Sequence, residues 1–328
     1  MRIAALFDKT RADTTGVYLE CALRRLGCSI DHWWVRDAAR IPAIYDVYLR
    51  VDYGDDYLIP LPEALRPSVF YAIDTHLPHS WKKIRRSASR YDFIYCAQRA
   101  AAERLRNAEW LPLASEAPAT TEQILRTALR WDVAFVGNDG GIPRKFYLQA
   151  LRERYPRSRI GQAESTQMPH IYGHAAVGFN YSIAQDVNMR IFEVLMAGAL
   201  LVTNALAHDD LQRLGLKDRQ HLLCYRTPQE LYALIDAALR DPEQRETIAQ
   251  AGAAIARARH SYTHRARQLV HSVSQRFGLT LPESVMKPEP ETMPCVSSAL
   301  TTHVQTRVVK AEFQARWNHS TSGSTILI

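Results

Sequence analysis

At 328 residues the chain exceeds one ordinary core and suits two domains. Its 47% hydrophobic and 23% charged residues describe a globular protein, and no run of eighteen apolar residues marks a membrane-spanning helix. The net charge of +7 leaves nucleic acid, a membrane surface or an acidic substrate open as partners. MRIAALFD reaches Asp8 before any apolar signal core, so no secretory signal and a cytoplasmic location are expected. The five cysteines, Cys21, Cys28, Cys96, Cys224 and Cys295, are widely spaced without C-x-x-C, which predicts reduced thiols.

In chain order, RIAALF (2–7) reads as a strand and TTGVYLECALRRLG (14–27) as a helix stopped by Gly27. SIDHWWV, DVYLRV, VFYAID and DFIYCAQ follow as short apolar strands, and AEWLPLAS (108–115) closes this half. Their apolar runs are continuous rather than alternating, which predicts strands covered on both faces, as in a parallel sheet. SEAPATTEQ reads as a linker. The rhythm then restarts with the strand WDVAFVG (131–137) and the helix RKFYLQALRERYP (144–156). SRIGQA, AVGFNYS, LLVTNA and HLLCY predict further strands. Helices are expected around 166–174, 188–198, 209–214, 228–240 and 242–258, with SYTHRARQLVHSVSQRF (261–277) the last.

The expected fold class is therefore α/β: two doubly wound parallel-sheet domains, 1–116 and 117–278. Residues 279–328 turn rich in Pro, Glu, Ser and Thr and are expected to be a largely disordered tail, with one short helix near VVKAEFQARW.

NMRIFEVLMAGALLVTN (188–204) places Arg190 and Glu193 inside a very apolar stretch. In a doubly wound sheet ligands bind at the carboxyl ends of strands, and a helix starting there points free N–H groups at them. Asn188 or Asp186 is a candidate cap. Arg190 and Glu193 are three apart and share a face, where a guanidinium can meet phosphate oxygens and a carboxylate can accept vicinal hydroxyls. The alternative is an i,i+3 surface salt bridge between them. A second candidate is FVGNDGGIPRKF (135–146), a glycine turn that can bring amides near phosphates, with Arg144 as counter-charge; the alternative is a simple loop.

In WKKIRRSASR (81–90) Trp81, Ile84 and Ala88 share one helical side. Lys82, Lys83, Arg85 and Arg86 lie around the rest, as a solvated face or as a docking patch for a phosphate-bearing acceptor or anionic membrane. In AIDTHLPH, at a strand's carboxyl end, Asp74 and His76 are candidates to take a proton from an acceptor hydroxyl; the alternatives are a turn cap and a loop histidine. HIYGH (170–174) and HSYTH (260–264) have metal-ligand spacing but neither the glutamate of H-E-x-x-H nor a third ligand, so structural histidines are expected.

Over 131–268, VAFVGN, YGHAAVGFNYSIAQDVNMRIFEVLMAGALLVTN, HLLCYRTPQEL and AGAAIARARHSYTHRA resemble glycosyltransferase group 1 proteins, specifically the CgeB-like, spore-maturation type. YAIDTHLPH, DFIYCAQ and WLPLA in the first half are similar to the same group. The resemblance implies a GT-B architecture, with a nucleotide sugar on the second domain and an acceptor on the first. It also implies a ribose-holding glutamate at Glu193 and a pyrophosphate side at Gly137, Asn138 and Arg144. The resemblance further implies a base-holding loop at 158–164 and a helix running back toward the first domain at Tyr262 and His264. Asp186 stands where the broader group carries the first acid of E-x7-E.

The resemblance implies a hexosyltransferase-like enzyme of polysaccharide biosynthesis. No D-x-D motif is present, so no metal and no cofactor beyond the nucleotide sugar are expected. The expected acceptor is a glycan, lipid-linked precursor or protein, with inner-membrane association through the basic cluster and no nucleic acid partner. The rivals are a nucleotide-sugar epimerase of the same fold and a non-catalytic basic binding protein.

Overall fold

The computed structural model describes residues 1–54, 59–116 and 129–286, which fall in one compact unit. The first sheet is built from β1 (Arg2–Leu6), β2 (Ser29–Trp33), β3 (Val47–Val51), β4 (Ser68–Ala72), β5 (Phe93–Cys96) and β6 (Ala108–Trp110). Its order is β2-β1-β3-β4-β5-β6 with every neighbour parallel. Helices α1 (Thr15–Arg25), α2 (Pro78–Ser87) and α3 (Arg99–Ala102) connect its strands.

The second sheet comprises β7 (Trp131–Val136), β8 (Ser158–Gly161), β9 (Ala175–Asn180), β10 (Leu200–Asn204) and β11 (Leu223–Tyr225), in the order β11-β10-β9-β7-β8, again parallel. Its helices are α4 (Arg144–Arg154), α5 (Met168–Gly173), α6 (Met189–Met196), α7 (Asp210–Arg213), α8 (Pro228–Arg240) and α9 (Pro242–Arg259). Numbered within each sheet, the strand order is the same, with the switch point between the first and third strands. Ligands of open α/β sheets collect at such points.

The expected strands form because their apolar runs have core on both sides. Every residue of β3, β4, β9 and β10 is buried. Helix starts follow local chemistry: Thr14 caps α1, Thr227 caps α8 and Asp241 caps α9, each accepting a backbone N–H. The last helix, α10 (Tyr262–Phe277), opens with a capping box in which His264 completes Ser261. By packing α10 belongs to the first core, where Tyr262, Ala266, Leu269, Val270 and Val273 join Ile3, Leu19 and Val69.

The chain stays packed past the boundary expected at 278. Val285 is buried in the first core and the Ser284 hydroxyl donates to the Leu26 carbonyl at 2.5 Å. The rest of the expected tail, its short helix near 308–317, and the linker after Glu116 lie outside the described residues. Cys28, Cys96 and Cys224 carry free thiols, whereas Cys21 is disulfide-bonded, so the expectation of reduced thiols fails at Cys21.

Helix α6 lies directly on β9 because Gly178 has no side chain: a Cβ there would stand 2.3 Å from Val194 Cγ1. Gly178→Ala is expected to cost about 1–3 kcal/mol by overpacking, read as a thermal midpoint several degrees lower. An unchanged midpoint would show that the contact relaxes freely.

Candidate active site

The second sheet's switch point lies between the carboxyl ends of β7 and β9. Gly137 follows β7, and α6 begins nine residues after β9 ends, at Met189 after Asn180. Arg190, in the first turn of α6, reaches back across this point. Its Nε donates to the Val136 carbonyl at 3.0 Å, and its guanidinium sits 4.2 Å from the centre of the Phe135 ring. Arg144, at the start of α4, donates through Nε to the Asp139 carbonyl at 2.8 Å and stands 5.8 Å from the same ring. Two glycines make the approach possible: a Cβ on Gly137 would stand 2.4 Å from Arg190 Nη2, and one on Gly140 would meet Arg144. Both glycines also adopt positive φ.

Neither guanidinium forms an ion pair within 4.0 Å with a described carboxylate. Burial holds the Arg144 proton affinity below its ordinary value, and the like charge of Arg190 adds to the effect. Two half-buried cations thus lie on one aromatic face, with Asp139 acting on Arg144 and Glu193 on Arg190 only through space. Asn188 stands at the N-cap position of α6 but its side chain makes no cap bond. Its Nδ2 donates to Asn180 Oδ1 at 3.3 Å and its buried Oδ1 has no partner. Asp186 does not cap the helix either; its carboxylate takes the Ser182 hydroxyl and the Gln98 amide. The leading amides of α6 are thus free of a side-chain cap. Asn138 is exposed and accepts from the Gln162 side chain at 2.7 Å.

Glu193 does not bridge to Arg190: among the described residues its carboxylate has no hydrogen-bond or ion-pair partner. It is half-buried on the side facing the first domain. Burial raises its proton affinity, Arg190 opposes the rise, and Asp13 of the first domain adds to it. Tyr18 of α1 feels the same carboxylate, and its ring stacks on Tyr262 at 5.2 Å. The pair therefore parts, with the guanidinium turned to the glycine turn and the carboxylate turned to α1.

On the first domain, Asp52 directly follows β3 and is 4% exposed. Its carboxylate accepts the backbone N–H groups of Gly54, Ile73 and Asp74 at 2.8, 2.9 and 2.9 Å, which fixes the turn carrying Asp74 and His76. Asp74 is half-buried, and its proton affinity is raised by burial first, then by Asp52, with Asp186 adding and His76 opposing. His76 Nδ1 stands 3.9 Å from Asp186 Oδ2, across from the second domain. The neighbouring Arg99 ties the domains again: its Nε meets Asp210 at 2.5 Å and its Nη2 meets Asp209 at 3.1 Å.

Lys82, Arg85 and Arg86 are exposed on α2 and Lys83 is half-exposed, while Ile84 is buried, so the amphipathic reading of this helix holds. No ion pair joins these four to a described residue. The histidine pairs serve structure. His174 Nδ1 meets the His170 carbonyl at 2.8 Å, and His260, 3% exposed, meets Leu214 O and Arg265. Asp13, Tyr18, Asp52 and Gln98 were not singled out from the sequence. Only Asp52, an acid closing the apolar run DVYLRV, carried a local signal.

Residues 118–271 match the family described as glycosyl transferase-like, over the second sheet and into α10. Among solved structures, Anabaena Alr3699/HepE, in complex with UDP and glucose, superposes with a TM-score of 0.65 at 13% identity, over 84% of this chain and 100% of that one. An α-glucosyltransferase in complex with UDP-glucose and DNA containing an abasic site gives 0.62 at 8% identity, over 84% and 99%. The T4 phage β-glucosyltransferase gives 0.54 at 12% identity, over 85% and 100%. No curated protein matches the chain. The fold is GT-B, and with its glycosyltransferase domain the chain is an enzyme of the glycosyltransferase class. Among the described residues no helix is long and apolar enough to cross a membrane.

Proposed function

We propose that this enzyme transfers a sugar from a nucleoside diphosphate to an acceptor hydroxyl, with the donor on the second domain (117–278, its last helix α10 packed into the first core) and the acceptor on the first (1–116). The carrying observation is the convergence of Arg144 and Arg190 on Phe135 at the switch point, without a carboxylate partner. Two guanidiniums suit the oxygens of a diphosphate. Glu193, equally unpaired, suits the vicinal hydroxyls of the ribose. Gly137 gives the backbone access, and Asn138 and Asn188 add polar groups at the rim.

As the bond to the sugar breaks, negative charge grows on the leaving diphosphate. Arg144, Arg190 and the leading amides of α6 meet that charge without a metal. Asp74 and His76 stand on the acceptor side as proton acceptors for the attacking hydroxyl. A raised proton affinity makes Asp74 a stronger base than a free carboxylate. UDP-glucose, bound by structural neighbours, is the first donor to test. The acceptor is a glycan, lipid-linked precursor or protein, in polysaccharide biosynthesis. Lys82, Lys83, Arg85 and Arg86 dock its anionic part or the cytoplasmic membrane face. The CgeB-like subgroup is the placement that the sequence motifs support.

A thermal-shift series with UDP-, GDP- and dTDP-sugars tests the donor site. Wild type is expected to be stabilised by about 2.7 kcal/mol at a hundredfold excess over Kd. Glu193→Ala is expected to lose most of that shift, since a hydrogen bond to a charged group contributes about 1.5–3 kcal/mol. A variant that keeps the full shift would remove Glu193 from the donor site.

A further inference from the structure

The loop ahead of α6 and the loop after β4 belong to different domains, yet their side chains form one connected chain. The Thr75 hydroxyl donates to Gln98 Oε1. Gln98, 9% exposed, donates through Nε2 to Asp186 Oδ2 at 3.0 Å. The other oxygen of Asp186 takes the Ser182 hydroxyl at 2.6 Å, and the Asp186 N–H returns to that hydroxyl at 3.0 Å. His76 Nδ1 lies 3.9 Å from the oxygen that Gln98 holds. Thr75 and His76 directly follow the Ile73 and Asp74 amides that Asp52 fixes, and Asp186 lies two residues before Asn188 at the head of α6.

A lone surface contact between domains would exchange with water. All but His76, whose side chain is 28% exposed, are largely withdrawn from it: Thr75, Gln98 and Ser182 are buried, and the Asp186 side chain is 14% exposed. Every polar atom of the Gln98 head group is engaged, one end with each domain. Moving the loop before α6 therefore moves the carboxylate that faces His76 and Asp74.

We propose that Asp186 is a positioning residue, which through Gln98 and His76 holds the acceptor-side turn Asp74–His76 in register with the donor helix α6. This rests on the reading of Asp74 and His76 as the acceptor-side pair. Asp186 then acts without touching the sugar, and its effect falls on turnover rather than on donor binding.

The test measures UDP release from UDP-glucose by the full chain, for wild type, Gln98→Ala and Asp186→Asn, across pH. Displacement of a positioned group costs on the order of tenfold to a hundredfold in rate. That loss is expected in kcat for both variants, with the KM for UDP-glucose within about twofold of wild type on the same positional argument. Asp186→Asn keeps the shape and one acceptor oxygen, turns the other acceptor into a donor, and removes the negative charge beside Asp74. The acid limb of its pH profile is therefore expected to move to lower pH, while Gln98→Ala keeps the wild-type limb. A raised KM with unchanged kcat in Asp186→Asn would make Asp186 a donor contact and overturn the proposal. So would a wild-type kcat and pH profile in both variants.

If wild type itself releases no UDP from UDP-glucose or the other nucleotide sugars, the functional reading fails, and the relay is read by amide exchange. Faster exchange at residues 73–77 in Gln98→Ala and Asp186→Asn supports it, and unchanged exchange overturns it.

Discussion

Arg190→Ala is expected to lower turnover of the nucleotide sugar by on the order of 10²–10³, the loss seen when one preorganised charge-stabilising donor is removed from an active site. The guanidinium is held in place before any donor arrives. Val136 O fixes its Nε, Phe135 supports its face, and Gly137 leaves the space that its Nη2 occupies. A group already aimed costs no reorganisation when charge develops on the leaving diphosphate. Arg190→Lys is expected to recover only part of the loss. An ammonium keeps the charge but cannot both bond Val136 O and present a planar fork. Steady-state kinetics with UDP-glucose, beside a melting curve for each variant, check this. An Arg190→Ala enzyme that folds normally and turns over within threefold of wild type would remove Arg190 from the chemistry.

The second large effect concerns stability. His260 sits where the chain passes from α9 to α10, 3% exposed, with Nε2 2.9 Å from Leu214 O and Nδ1 3.0 Å from Arg265 Nη2. Those contacts fit a neutral ring that donates to the carbonyl and accepts from the guanidinium. Burial first, and then the Arg265 charge, lower its pKa to about 4. In the unfolded chain the value returns to about 6.5. The unfolded state therefore binds a proton at higher pH than the folded state does. Stability falls as pH drops from about 6.5 toward 4, by up to about 1.4 kcal/mol per pH unit and about 3 kcal/mol in all. Urea unfolding at pH 7 and pH 5 measures the slope. His260→Gln, uncharged at both, is expected to lose less stability on acidification than wild type. An identical pH dependence in the two proteins would show that His260 titrates elsewhere.

The crossing at His260 also explains how the two halves hold together. Arg265, 5% exposed, donates to the carbonyls of Pro112, Leu113 and Arg259, and Ser115 N donates to the His260 carbonyl. These bonds satisfy carbonyls where the chain leaves the first sheet and where it returns. A buried cation here serves the backbone, since a buried carbonyl without a donor costs about 1–3 kcal/mol.

The strands and most helices were legible in the sequence because each carries its own signal. DVYLRV and LLVTNA are apolar throughout, and a strand covered on both faces needs nothing else to be recognised. The expected helix at 144–156 ends near Pro156 and is found over Arg144–Arg154, since proline cannot continue it. Arg190 and Glu193 stood out for the same reason, as charges inside an apolar run. Spacing left them as either a surface pair or a ligand pair, because three residues apart on a helix fits both. The structure separates them, since Arg190 is claimed by Val136 O and Phe135 on another strand.

What the sequence by itself determined is the two-sheet plan, the positions of the strands and the chemical character of the loops at their carboxyl ends. Periodicity and capping act over a few residues and are written locally. Tertiary structure alone decided that Arg265 of α10 bonds the Pro112 carbonyl, that Asp52 fixes the Asp74 turn, and that Gln98 meets Asp186. Those contacts join residues tens to hundreds of positions apart, and a side chain's partner at that range depends on where the backbone has already been carried.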